Sequence, residues 1–174
     1  MPIRKKKCAS CKVIFQPDRP FQKACSVPCA VHIIEDNKKK KNRQQYLADI
    51  ERLKSRSDWL KEAQIAFNAY IRYRDKDLPC ISCQRHHTGQ YHAGHYRSVG
   101  ACPELRFEEL NNNKQCSACN NYLSGNIVEY RKNLVLKIGA DKVEWLEGKH
   151  EPKKYSIEEI KAIKLKYKQL IKGK

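Results

Sequence analysis

Two histidines, His92 and His95 in the stretch YHAGHYR, lie in a chain that also carries nine cysteines. Imidazole can take a proton from water near neutral pH or ligate a metal, and thiolates at short spacing hold zinc. Cys80-x-x-Cys83 with Cys116-x-x-Cys119 forms one tetrad, and Cys8-x-x-Cys11 with Cys25-x-x-x-Cys29 a second, looser one. A two-residue gap lets both sulfurs of a turn reach one ion, so two structural zinc ions are expected. The bland alternatives are free buried thiols at the first tetrad and incidental cysteines in a basic tail at the second. Cys102 is left over and reads as a small core residue. A redox role for Cys80 and Cys83 lacks the thioredoxin-like alternation of strands and helices.

The chain has 174 residues and a formal charge of +17. Residues 1–76 hold 19 Lys and Arg against 8 acids, 77–126 hold 4 against 4, and 127–174 hold 13 against 7. Two basic arms thus flank a neutral centre, which suits salt-sensitive phosphate binding by the arms and chemistry in the middle. No apolar run is long enough to span a membrane. The basic start MPIRKKKC has no apolar stretch behind it, so a cytoplasmic setting is expected, where zinc rather than disulfides explains the cysteines.

The elements follow from caps and breakers. Residues 1–29 lack apolar content for a core and need a metal staple. Residues 30–76 read as a basic helical arm that could form a dimer seam, with KKKKNR at 38–43 exposed. In its second half Ser55 or Ser57 can cap a helix whose stripe is Trp59, Ala63, Ala66, Phe67, Tyr70 and Tyr73, read as core rather than base-stacking residues. Asp77–Pro79 ends that helix, and short strands and turns run to about Gln115. A helix starts near Asn120 and breaks at Ser124–Gly125. Further helices are predicted over 127–138 and 140–147, ended by Gly139 and Gly148. The last begins with a Ser156–Glu159 capping box and carries Ile157, Ile160, Ile163, Tyr167, Leu170 and Ile171 as its apolar stripe.

The order of HAGHY, NNNKQCSAC and NNYLSGN over residues 78–126 resembles the HNH (ββα-metal) nuclease motif in its zinc-stapled form. That resemblance implies an α+β fold: a small ββα-metal core at 77–126, an N-terminal zinc finger-like module, and flanking basic helices including 127–174. It implies His95 as general base and Asn111 as the asparagine that fixes the loop and orients the histidine. It also implies Asn120 as a ligand of a catalytic magnesium or manganese ion, distinct from the stapling zinc. One departure stands out. The family carries an acidic or histidine ligand immediately before the base, and here that residue is Gly94. His92 is the nearest substitute, and only a bulge or turn at Ala93–Gly94 would bring it to the same ion. A straight strand sends the two rings to opposite faces and requires another residue to complete the site. His86 and His87 read as solvated loop residues.

Longer phrases carry a closer resemblance. DKDLPCISC, AGHYRS, LRFEELNNNKQCSACN, SGN and YSIEEIKAIKLKY, together with the N-terminal cysteine quartet, resemble the phage NinG (Rap) family over nearly the whole chain. The resemblance implies a structure-specific endonuclease of phage recombination, cutting branched DNA such as Holliday junctions and D-loops in the host cytoplasm. A junction presents two symmetry-related strands, so a homodimer is the natural arrangement. Lys38, Lys39, Lys40, Lys41, Arg43 and Arg97 are the candidate DNA contacts. Two rival readings remain: a non-catalytic zinc-scaffolded nucleic-acid binder, and an HNH nuclease acting on duplex DNA without branch preference.

Overall fold

The computed structural model describes residues 3–173, and its contacts divide into two units that meet between Lys54 and Ser55. Met1 and Pro2 of the first sequence segment, and Lys174 of the last, lie outside the described residues. The fold mixes helices with two small antiparallel hairpins, compatible with the α+β expectation. No helix among the described residues is long and apolar enough to cross a membrane.

In the first unit, β1 (Lys6–Lys7) pairs antiparallel with β2 (Ile14–Phe15). The long helix α1 (Val27–Leu53) follows, its N-terminus capped by Ser26, whose side chain accepts from the Cys29 N–H. No residue of α1 is buried. Its first turns meet the cysteine module through Cys29 and His32, and beyond them, with four consecutive lysines at 38–41, the helix carries no buried face. The arm read from sequence as 30–76 is therefore two helices, interrupted at Lys54–Ser55.

The second unit begins at α2 (Arg56–Arg74), where Ser55 and Asp58 form a reciprocal capping box. Its buried stripe of Trp59, Ala63, Ala66, Phe67 and Ile71 packs against the last helix, α5 (Ile157–Lys172), through Ile160 and Tyr167. Phe67 sits edge-on to both Tyr167 and Phe107, with ring centroids 4.8 and 5.7 Å away. The capping box at Ser156 and Glu159 is formed as the sequence predicts. A second cluster joins Ile81, Tyr96, Cys102 and Leu105 to α3 (Ile127–Ile138) and α4 (Ala140–Glu147), so Cys102 is a core residue. Gly139, at φ 91°, turns the chain between α3 and α4 in a conformation side chains resist.

Between these clusters runs the hairpin of β3 (Tyr91–His95) and β4 (Asn112–Cys116). All five β4 residues are buried, four of them polar or charged. The side-chain nitrogen of each finds an acceptor. Lys114 Nζ donates to the Lys76 carbonyl at 2.9 Å, Asn113 Nδ2 donates to Tyr130 Oη at 3.1 Å, and Asn112 Nδ2 donates to the Glu108 carbonyl at 2.9 Å. Beneath them lies Asp75, which accepts from Arg74, from Lys137 Nζ at 3.1 Å and from the Lys114 N–H at 3.1 Å. Burial alone would raise the Asp75 pKa, but the Arg74 and Lys137 charges and these hydrogen bonds hold it below the usual carboxylate value.

Candidate metal centres and catalytic pocket

The two cysteine tetrads close as the spacing predicts. Cys8, Cys11, Cys25 and Cys29 form one cluster, and Cys80, Cys83, Cys116 and Cys119 the other, with the sulfurs of each within 4.8 Å of one another. A tetrahedral zinc with sulfurs at about 2.3 Å needs sulfurs roughly 3.8 Å apart. The Cys11–Cys25, Cys25–Cys29 and Cys83–Cys116 separations are 3.5, 3.7 and 4.0 Å. Both clusters are thus compatible with a structural zinc ion.

The two CxxC turns are built alike. In the first, the Lys12 N–H donates to the Cys8 carbonyl and the Cys8 N–H to the Val13 carbonyl, with Lys12 at φ 66°. In the second, Gln84 donates to Cys80 and Cys80 to Arg85, with Gln84 at φ 54°. The turn points backbone N–H groups at sulfur. Burial works against a thiolate at Cys8, yet the N–H groups of Cys25, Cys11 and Ser10 bring its pKa down to about 6. At Cys80 burial is likewise outweighed by the N–H groups of Cys83, Cys116 and Ser82, and the pKa is lowered. Each tetrad therefore contains a sulfur whose surroundings favour the metal-binding form. His87, read from sequence as a loop residue, lies with Nε2 3.2 Å from Cys83 Sγ.

The second tetrad ties the hairpin to the helical turn Ala118–Tyr122, which carries Asn120. His95, Arg97, Ser98, Asn120, Ser124 and Gly125 line one open pocket. His95 Nε2 is 3.2 Å from the Arg106 carbonyl. A carbonyl only accepts, so Nε2 carries the proton and Nδ1 keeps its lone pair. Burial lowers the His95 pKa more than the carbonyl raises it, which favours the neutral ring.

Asn111 is fully buried and stands behind that pocket rather than in it. Its Oδ1 accepts the Arg97 N–H at 2.7 Å, while Nδ2 donates to the carbonyls of Arg97 at 3.0 Å and Leu105 at 3.2 Å. It fixes the chain just after His95 to the loop that supplies the Arg106 carbonyl.

The bulge that would unite His92 with His95 is not formed. The β3–β4 register is uninterrupted, from Tyr91 opposite Cys116 to His95 opposite Asn112. Alternation then sends His92 and Gly94 to one face and His95 to the other. Directly across from His92 is Gln115. His92 Nε2 and Gln115 Oε1 are both buried without a hydrogen-bond partner among the described residues. Of the candidate DNA contacts, Arg97 lines the His95 pocket, whereas Lys38 to Lys41 and Arg43 are exposed on α1 in the other unit.

No solved structure matches the chain. The "Protein ninG" of Escherichia phage lambda is 52% identical over 120 residues, which cover 69% of this chain and 59% of that protein. Those of Escherichia phage 933W and Salmonella phage P22 are each 51% identical over 120 residues, covering 69% of this chain and 60% and 59% of theirs. The aligned part thus spans about three-fifths of the relatives' own length. A family model described as "Bacteriophage Lambda NinG protein" matches residues 1–174, and the chain belongs to the NinG family.

Proposed function

We propose that the protein is a metal-dependent endonuclease of the HNH (ββα-metal) type acting on branched DNA. The observation that carries this reading is His95: a neutral imidazole with Nε2 committed to the Arg106 carbonyl, in a pocket shared with Asn120. A hairpin followed by a helical turn, with thiols pinning both, is the arrangement such a motif requires.

In this reading Nδ1 of His95 takes a proton from water as the oxygen attacks the scissile phosphorus. The lowered pKa keeps the ring ready to accept at neutral pH. Asn111 holds the strand exit and the Arg106 loop together, and so keeps the ring and its carbonyl partner aligned. The pocket position of Asn120 beside His95 fits a divalent ion held on this side of the hairpin, while the unbroken register leaves His92 on the other face. Magnesium or manganese bound there would stabilise charge growing on the phosphate and the leaving oxygen. The exposed lysines of α1 and Arg97 supply backbone contacts. The unburied Tyr46, Leu47, Ile50 and Leu53 of α1 would form the seam of a homodimer.

The preference for branches rests on the resemblance to NinG proteins, not on the pocket. A labelled four-way junction and a matched linear duplex, each with magnesium, manganese or EDTA, test the whole reading. Metal-dependent cutting with the junction preferred is the expected result. Equal cutting of both would make the protein a nuclease without branch preference, and tight binding without cutting would leave a zinc-scaffolded DNA binder.

A further inference from the structure

We infer that Tyr122, with Leu123 beside it, forms a wedge that stacks on a base at the branch point of bound DNA, which rests on the nuclease reading above and supplies the branch selection that the pocket alone does not.

Asn120 and Ser124 both line the His95 pocket, and the residues between them are exposed. Tyr122 is 82% exposed and Leu123 57%, and neither packs into a core cluster. Single exposed apolar residues are ordinary, but two in succession at the rim of a pocket mark a contact surface. Their backbone is held at both ends. The carbonyl of Cys119, a buried member of the second tetrad, accepts from the Gly125 N–H at 2.9 Å, and the Leu123 N–H donates to the Ala118 carbonyl at 3.1 Å. Asn126 Nδ2 lies 3.7 Å from Cys119 Sγ, just before α3 begins. A side chain on a turn fixed in this way loses little backbone freedom when it binds.

Charge and reach identify the occupant. Residues 111–128 contain no acidic side chain, no carboxylate lines the pocket, and Arg97 does, so the surface around Tyr122 suits a polyanion. Two residues along the chain take Tyr122 to Asn120 or to Ser124, a backbone reach of at most about 7 Å. That is about two nucleotide steps of roughly 3.4 Å. A strand whose phosphate lies at His95 therefore brings the base of that nucleotide, or of a near neighbour, against the ring. Aromatic stacking tolerates any base, whereas inserting an apolar side chain between paired bases costs their unstacking. The cost is least where bases are already unpaired or end a stack, as they do at a branch. Tyr122 and Leu123 thus discriminate by shape without reading sequence, which a phosphate contact such as Arg97 does not do.

Binding of a labelled four-way junction and a matched duplex to the full-length, zinc-loaded protein tests this without recourse to cleavage. Magnesium and manganese are left out, so that nothing is cut, and the readout is the ratio of the two affinities. Tyr122→Ala should lower that ratio by about tenfold, through the junction rather than the duplex. Tyr122→Phe keeps the ring and should hold the parental ratio. Parental selectivity in Tyr122→Ala would overturn the wedge and leave branch preference to other residues. A loss as large in Tyr122→Phe would overturn it as well, because stacking does not need the hydroxyl. A parent that binds both shapes equally would instead overturn branch preference itself, and the wedge with it. Sedimentation without DNA tests the other occupant, a second copy of the chain. Conversion of a dimer into a monomer by Tyr122→Ala would make the patch a self-association surface and overturn the stacking assignment; an unchanged sedimentation coefficient is the expected result.

Discussion

Asn111 grips both backbone groups of one residue, accepting from the Arg97 N–H at 2.7 Å and donating to the Arg97 carbonyl at 3.0 Å. A third bond, to the Leu105 carbonyl, joins the exit of β3 to the loop that faces His95. One buried carboxamide thus positions the imidazole from behind without touching the pocket. Asn111→Ala would remove the partners of the Arg97 N–H and carbonyl, while the Leu105 carbonyl keeps its bond from the Glu108 N–H, a loss of about 1–3 kcal/mol of stability by this mechanism. Urea titration should show that loss, and cleavage should fall further than DNA affinity does. If cleavage persists at the parental rate while stability drops, Asn111 serves the fold alone.

Replacing His95 with alanine should lower cleavage by about 10²-fold or more. Zinc content and junction affinity should stay at parental levels, because His95 belongs to neither tetrad. Retained cleavage would show that another group takes the proton.

Asp75 is the buried anion on which Arg74, Lys137 and the Lys114 N–H converge. Asp75→Asn removes the charge while leaving Arg74 and Lys137 in place, and breaking a buried pair in this way costs about 3–5 kcal/mol. The pH dependence has a definite sign. A carboxylate held below its unfolded value of about 3.9 stabilises the fold above that pH. The contribution is lost as the pH falls through the lower folded value. Stability measured between pH 6 and pH 2 should therefore decline for the parent, and the decline should be shallower for Asp75→Asn. Parallel curves would mean that other carboxylates carry the acid sensitivity.

Metal analysis of the purified protein should find two zinc ions per chain, one for each tetrad. Cys116→Ser should release one of them and loosen β4, where Cys116 ends the strand and its N–H donates to Cys80 Sγ at 3.3 Å. Cys8→Ser should release the other and leave the core of residues 55–173 folded, since the chain divides after Lys54. A single cooperative collapse on losing either ion would contradict that independence.

Neutralising Lys38, Lys39, Lys40 and Lys41 to glutamine should weaken binding to junction and duplex alike. The plot of log affinity against log salt should flatten by about 0.9 for each phosphate contact removed from duplex DNA. An effect confined to junctions would give α1 a part in shape selection instead.

Much of the architecture was legible as local chemistry. Helix starts at Ser55 and Ser156, stops at Gly139 and Gly148, and the two cysteine tetrads depend on short-range rules: a hydroxyl reaches a nearby N–H, glycine adopts what other residues resist, and paired thiols converge on one ion. The period of α2 gave Trp59, Ala63, Ala66 and Phe67 of its buried stripe, but the last buried position is Ile71, with Tyr70 and Tyr73 only partly covered. What the sequence could not disclose depends on partners distant along the chain. The run Asn112-Asn113-Lys114-Gln115 has the composition of a solvated loop, yet it is a buried strand because Asp75, Lys76, Tyr130 and Ser82 come from elsewhere to satisfy it. His92 and His95 looked like a pair, and an unbroken cross-strand register separates them. The Arg106 carbonyl assigns the tautomer of His95, and a glycine at 94 is intelligible only once Gln115 is seen across the hairpin. Residue type and spacing determined which groups could do chemistry. Tertiary structure decided which of them face one another, because burial, strand pairing and the satisfaction of polar atoms are properties of the packed chain.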